Sequence, residues 1–128
     1  MVQVARLNPI SVGAPQGGYS LGLELAAPAR LLFVSGQIPE TVNGQLAEDF
    51  EGQCRQVWRN IESVLAAAGL GLGDLVKVNT FLTDRSQAEA NGAIRREFLG
   101  DHRPALTVMI AQTLESQWLL EIEAVAAR

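Results

Sequence analysis

Two carboxylates stand in an apolar run near the C-terminus, Trp118-Leu119-Leu120-Glu121-Ile122-Glu123-Ala124. Side chains alternate between the faces of a strand, so Glu121 and Glu123 share one face while Leu120 and Ile122 share the other. A carboxylate among apolar neighbours is costly unless it is wet, paired or used. Used, it could position a water, accept a proton or relay one. Paired, Glu121 would lie at an interface rim against an arginine of another subunit, and both readings stay open. Glu123 reads as a solvated or ion-paired strand residue. The remaining chemistry-bearing types are sparse: His102 is the only histidine, Cys54 the only cysteine and Tyr19 the only tyrosine. A metal centre needs several ligands at close spacing, so no metal is expected. A ribonuclease built on a histidine pair is excluded within one subunit. Gly69-Leu70-Gly71-Leu72-Gly73 resembles a phosphate loop only in glycine content, since it follows a helix and lacks the Gly-Lys-Ser/Thr ending. No Gly-x-Ser-x-Gly elbow occurs either.

Composition sets the wider bounds. The 128 residues correspond to one domain, 1–128, with 48% apolar and 19% charged residues, an ordinary globular balance. A net charge of −4 and a single lysine, Lys77, leave no basic run for nucleic acid or an anionic membrane. The lone cysteine fits a reducing compartment, and the opening Met1-Val2-Gln3-Val4-Ala5-Arg6 lacks a signal-peptide core, so a cytoplasmic protein is expected.

The elements that must position the carboxylates follow from periodicity. Residues 2–7 read as an edge strand, 13–18 as a glycine-rich loop, Tyr19 to Leu25 as an alternating strand and Leu31 to Ser35 as a buried one. Glu48, Asp49 and Glu51 oppose a helix dipole, after which Phe50, Cys54, Val57, Trp58, Ile61, Val64, Leu65 and Ala68 form one stripe ending at Gly69. Trp58 and Cys54 are therefore core residues. Gly71 to Asp74 is a turn and Leu75 to Leu82 a strand. Ser86 and Glu89 have capping-box spacing for a second helix with Ala90, Ile94 and Phe98 inward and Gly100 at its end. Arg103 to Gln112 and Trp118 to Ala126 read as an antiparallel pair joined by Thr113 to Gln117, with His102 exposed just before. The order β-β-β-α-β-α-β-β predicts an α+β fold whose two helices cover one sheet face. The last strands are nonetheless apolar on both faces, which predicts a symmetric homo-oligomer.

The run Ser35-Gly36-Gln37-Ile38-Pro39, with Gln53, Arg55-Gln56-Val57, Asn60-Ile61, Ala67-Ala68-Gly69, Asp74-Leu75-Val76-Lys77, Phe81-Leu82-Thr83-Asp84, Asn91, Arg103-Pro104-Ala105 and Glu121-Ile122-Glu123-Ala124, resembles the RidA (YjgF) family over nearly the whole chain. The resemblance implies a chorismate-mutase-like, YjgF-like mixed sheet and a homotrimer with small-molecule clefts between subunits. It also implies hydrolysis of reactive enamines or imines to 2-oxo acids and ammonia, without metal or cofactor. An older ribonuclease label travels with the same sequences. By motif position the cleft would be lined by Tyr19, Ser35, Gly36, Asn91, Leu106 and Thr107, with Glu121 as the catalytic group.

One position departs. Active deaminases of the family carry Pro-Ala-Arg-Ser/Thr, where this chain has Pro104-Ala105-Leu106-Thr107. An arginine there would hold a substrate carboxylate by two charge-assisted hydrogen bonds. Each is worth about 1.5–3 kcal/mol, so losing even one weakens binding about tenfold to a hundredfold. Arg103 is a possible substitute but matches the variable residue before Pro-Ala and is expected to point elsewhere. Two functions follow: a deaminase with altered substrate preference, or a non-catalytic trimer that binds a small metabolite in the same clefts.

Overall fold

The first helix organises one side of the molecule, and its sequence explains both ends. The computed structural model describes residues 3–128. Helix α1 spans Phe50–Ala67, and the Asp49 carboxylate caps it by accepting the Gly52 N–H at 3.0 Å. Gly69, at φ +72°, stops it in the left-handed region, and Leu70 N–H returns to Leu65 O at 2.9 Å. Arg30 donates to Ala68 O and Arg128 to Gly69 O, so two cations from the sheet cover the helix C-terminus. Cys54, Val57, Trp58, Ile61 and Leu65 are fully buried, as the stripe predicts.

The strands are β1 (Gln3–Leu7), β2 (Gly22–Ala26), β3 (Leu31–Gln37), β4 (Leu75–Leu82), β5 (Ala105–Ile110) and β6 (Leu120–Ala127), with α2 at Ala88–Leu99. This is the expected α+β order; of the predicted first strand, residue 2 lies outside the described residues. Strands β1 and β2 pair antiparallel on their own, and the larger sheet runs β3-β6-β4-β5. Within it only β4 and β5 are parallel. Trp58 stacks on Phe98 of α2 with ring centroids 5.9 Å apart, which locks the two helices over the sheet. Val34, Val78, Leu82, Leu120, Ile122, Ala124 and Ala126 are buried beneath them.

Four local expectations are corrected. The two C-terminal segments are not a hairpin, because β4 lies between them. Their link straddles the end of β4: Ala111 N–H donates to Leu82 O on one side, and Thr83 N–H donates to Leu119 O on the other. An apolar central strand thereby fills both of its edges. The second helix is preceded by a capping box two residues earlier than expected. Asp84 accepts from Ser86 N–H at 2.8 Å, and Gln87 Oε1 accepts from the Thr83 and Asp84 amides. An acid with extended backbone fits that cap better than Ser86, which the short turn itself absorbs. His102 is half-buried rather than exposed, with Nε2 2.6 Å from Leu75 O, where it satisfies the first carbonyl of β4. Strand β3 is also less buried than its composition suggests. Leu31 and Phe33 are 55% and 73% exposed, because they face the side without helices.

Leu65→Ala, at full burial, is expected to cost about 2–5 kcal/mol. Leu114→Ala, at 92% exposure, should stay within about 0.5 kcal/mol. Urea unfolding at fixed protein concentration checks both.

Candidate functional site

The alternation of β6 sends Glu121 to the open face of the sheet, level with Phe81 on β4 and, through it, with Met109 on β5. Against β6, the pairing of β3 slips between Val34 and Gln37: Val34 faces Ala124 and Gln37 faces Ile122. Two residues, Ser35 and Gly36, therefore oppose Glu123 alone, a bulge that re-aims the strand. The consequence is contact. A Cβ on Gly36 would fall 1.9 Å from Glu121 Oε2 and 2.8 Å from its carboxyl carbon. Glycine is needed here for the close approach of a carboxylate to backbone. Glu121 is half-buried, and among the described residues its carboxylate takes no hydrogen bond or ion pair.

The next row of the open face holds Asn79, Thr107 and Glu123. A groove of 320 Å³ runs there between Lys77, Asn79, Phe81, Thr107 and Met109. Lys77 Nζ donates to Thr107 Oγ1 at 3.3 Å. Glu123 is exposed. So Ser35, Gly36, Thr107 and Glu121 of the expected site share one face.

Tyr19, Asn91 and Leu106 do not join them. Leu106 pairs in register with Val78 and packs against the helix-covered core, on the other face. Tyr19 sits in a turn at the β5 edge, where Ser20 Oγ donates to Arg103 O at 2.7 Å and Ser20 N–H donates to Pro104 O at 3.1 Å. The Tyr19 hydroxyl accepts from Gln16 N–H at 3.3 Å. Asn91 is buried between the helices, with Oδ1 4.0 Å from Cys54 Sγ. Burial pushes the Cys54 thiol up to about 12, so it stays protonated and is no nucleophile near neutrality. Arg103 donates to Gly100 O at 3.0 Å. No group of three or more His, Cys, Asp or Glu among the described residues could hold a metal, and no described helix is long and apolar enough to cross a membrane.

One residue escaped the sequence reading. Arg95 is only 7% exposed, and its Nε has no partner. The signal was present: Arg95 lies four residues after Asn91 and four before Leu99, all buried on α2.

A family model described as endoribonuclease L-PSP matches residues 10–128. The chain belongs to the Rid (YjgF, endoribonuclease L-PSP) family. It is 34% identical to the 2-iminobutanoate/2-iminopropanoate deaminase of Salmonella typhimurium, across 88% of each chain. It is also 34% identical to a RutC family protein, PH0854, of Pyrococcus horikoshii, again across 88% of each. Among solved structures it is similar to YyfB of Yersinia pestis, a protein of unknown function in the Rid family, with TM-score 0.86, 28% identity and 98% of each chain covered. In this Rid chain, then, Glu121 and Leu106 stand on opposite faces of one sheet. A single copy does not bring them together.

Gly36→Ala should cost about 1–3 kcal/mol by forcing Glu121 aside. In a Glu121→Ala background the same change should cost less than about 0.5 kcal/mol. Strict additivity in the double-mutant cycle would show that the two residues do not touch. A second expectation concerns Cys54. A thiol reagent at pH 8 should leave it unmodified in the folded protein and modify it in urea. Above pH 9 the unfolded thiol ionises while the buried one does not, so Cys54 lowers stability as pH rises toward 12.

Proposed function

We propose that this chain is a hydrolytic deaminase of small enamines or imines, acting in clefts between the subunits of a homotrimer. The observation that carries the reading is the unpaired Glu121 carboxylate, held over the Gly36 backbone on an open sheet face. The deaminase named among its relatives supports the reaction class. Glu121 takes a proton from water as its oxygen bonds to the imine carbon and returns that proton to the nitrogen. The carbinolamine hydroxyl then gives its proton, through the same carboxylate, to the nitrogen, the C–N bond breaks, and ammonia leaves a carbonyl behind. Backbone at Ser35 and Gly36 and the Thr107 hydroxyl orient the substrate. The exposed Phe33 and Met109 on the open face supply the apolar surface on which a second copy would close. Such closure would set Glu121 of one subunit opposite the Tyr19 edge of another.

Leu106 alters the substrate preference. Its side chain offers no hydrogen-bond donor, so it cannot hold a carboxylate as arginine would. A non-catalytic trimer that binds a metabolite in the same clefts is the second reading, favoured by this one residue.

The test is ammonia release from 2-iminobutanoate and from an imine without a carboxylate, each generated in situ. Wild type should accelerate at least one of them, and Glu121→Ala should slow it about 10²–10⁴-fold. No acceleration of either substrate would favour the binding-only reading. Sedimentation should give three times the chain mass; a monomer would remove the shared cleft from both readings.

A further inference from the structure

Glu121 is aimed by its surroundings, because no bond of its own holds it. Among the described residues its carboxylate takes no hydrogen bond or ion pair, and it lies against Gly36. Its place is therefore set by where the β3 bulge sits relative to β6. A bulge disrupts the ladder locally, and past this one only the Gln37–Ile122 pair remains before β3 ends. Gln37 Nε2 donates to Ser35 O at 3.0 Å and braces the bulge from within, but that bond does not reach β6.

The bond that does reach lies just beyond. Trp118 Nε1 donates to Glu40 Oε2 at 2.7 Å, four residues after Gly36 on one chain segment and three before Glu121 on the other. Among the described residues it is the one direct hydrogen bond between residues 38–47 and residues 113–119. A charged acceptor makes such a bond short and strong. Both side chains are half-buried, and both backbones are fixed. Asn60 of α1 holds Ile38 O and Glu40 O at 2.9 and 3.0 Å. Thr113 Oγ1 donates to Trp118 O at 2.7 Å, and Gln53 Oε1 accepts the Leu119 N–H at 2.8 Å. A hydrogen bond between two anchored backbones transmits position, which one between mobile surface side chains does not.

We propose that Glu40 and Trp118 are positioning residues whose hydrogen bond holds the lead into β6 against the chain leaving the β3 bulge, and so keeps the Glu121 carboxylate over Gly36. The consequence for rate rests on the deaminase reading; the placement of the carboxylate does not. A general base displaced from its water loses rate more than affinity.

The probe of placement is the Gly36 amide cross-peak in 1H–15N spectra of the whole protein, followed through an acid titration. In wild type it should move as Glu121 is protonated, and in Glu121→Gln that movement should disappear. Trp118→Phe keeps a ring and removes the donor. It should at least halve the movement, as should Glu40→Ala. Glu40→Gln keeps an acceptor for the indole and should recover most of it. Turnover is measured on whichever imine wild type accelerates. There kcat should fall about tenfold in Trp118→Phe and Glu40→Ala with KM within about twofold, and Glu40→Gln should recover most of the loss. Added to Glu121→Ala, Trp118→Phe should change kcat by less than about twofold, since the group it positions is gone. A wild type inactive on both imines would refute the deaminase reading, and the Gly36 titration would still decide placement. A Gly36 response as large in Trp118→Phe and Glu40→Ala as in wild type overturns the proposal. So does equal damage in Glu40→Gln and Glu40→Ala, a loss confined to KM, or a full further loss on top of Glu121→Ala. If Trp118→Phe does not fold, Glu40→Ala decides.

Discussion

The structure depends on one alternation. Along β6, Leu120, Ile122, Ala124 and Ala126 are sealed beneath the two helices, and the strand's period of two then leaves Glu121 and Glu123 no choice but the open face. A one-residue slip would bury two carboxylates against Trp58 and Ile61 and expel four apolar side chains. The cost of such a slip, several buried side chains at about 1.5–3 kcal/mol each plus two desolvated charges, makes the register of the central strand the least negotiable feature of the chain. The bulge in β3 is anchored to that register. It places Gly36 where Glu121 emerges, so the candidate site is a by-product of how the core is built.

Buried polar groups show the same discipline, with instructive exceptions. Gln53, 2% exposed, donates to Ala47 O and Gln117 O and accepts from Leu119 N–H, so one amide fastens the link before β6 to the start of α1. Trp118 Nε1 donates to Glu40 at 2.7 Å and ties the same link to the segment after β3. Asn60 does likewise for that segment, donating to Ile38 O and Glu40 O. Against this background only Trp58 Nε1 and Arg95 Nε are buried without partners among the described residues. The indole is neutral and gains from stacking on Phe98. The guanidinium is charged, and the one aromatic pair among the described residues, Trp58 with Phe98, does not include it.

The helices, the strand order and the glycine stops were legible because they rest on local periodicity and on backbone conformations few residues adopt. What misled was topology. Two consecutive strand-length segments with a short link look like a hairpin in any sequence, and nothing in Thr113 to Gln117 reveals that Leu82 and Thr83 will hydrogen-bond to both sides of it. The site divides in the same way. Glu121 and Gly36 came from motif order and do meet. Leu106 came from the same motifs, but its side is decided by the pairing of β5 with β4, a long-range fact. Arg95 lies off the Ala90, Ile94 and Phe98 stripe that hydrophobicity picks out. On α2 the buried line runs through Asn91, Arg95 and Leu99, and a pattern judged by hydrophobicity alone skips its middle member.

Whether the fold itself could stabilise that middle member is a question of magnitude. The negative end of α2 is the obvious candidate, and a cation at a helix C-terminus gains about 0.3–1 kcal/mol, falling off within the last turn. Arg96 stands in that last turn, exposed and able to take the benefit. Arg95 precedes it and is directed toward the Gly17 turn instead. Removing a guanidinium from water costs several kcal/mol even after relaxation, well above what a dipole one turn away returns. Among the described residues of a single copy the balance is not met.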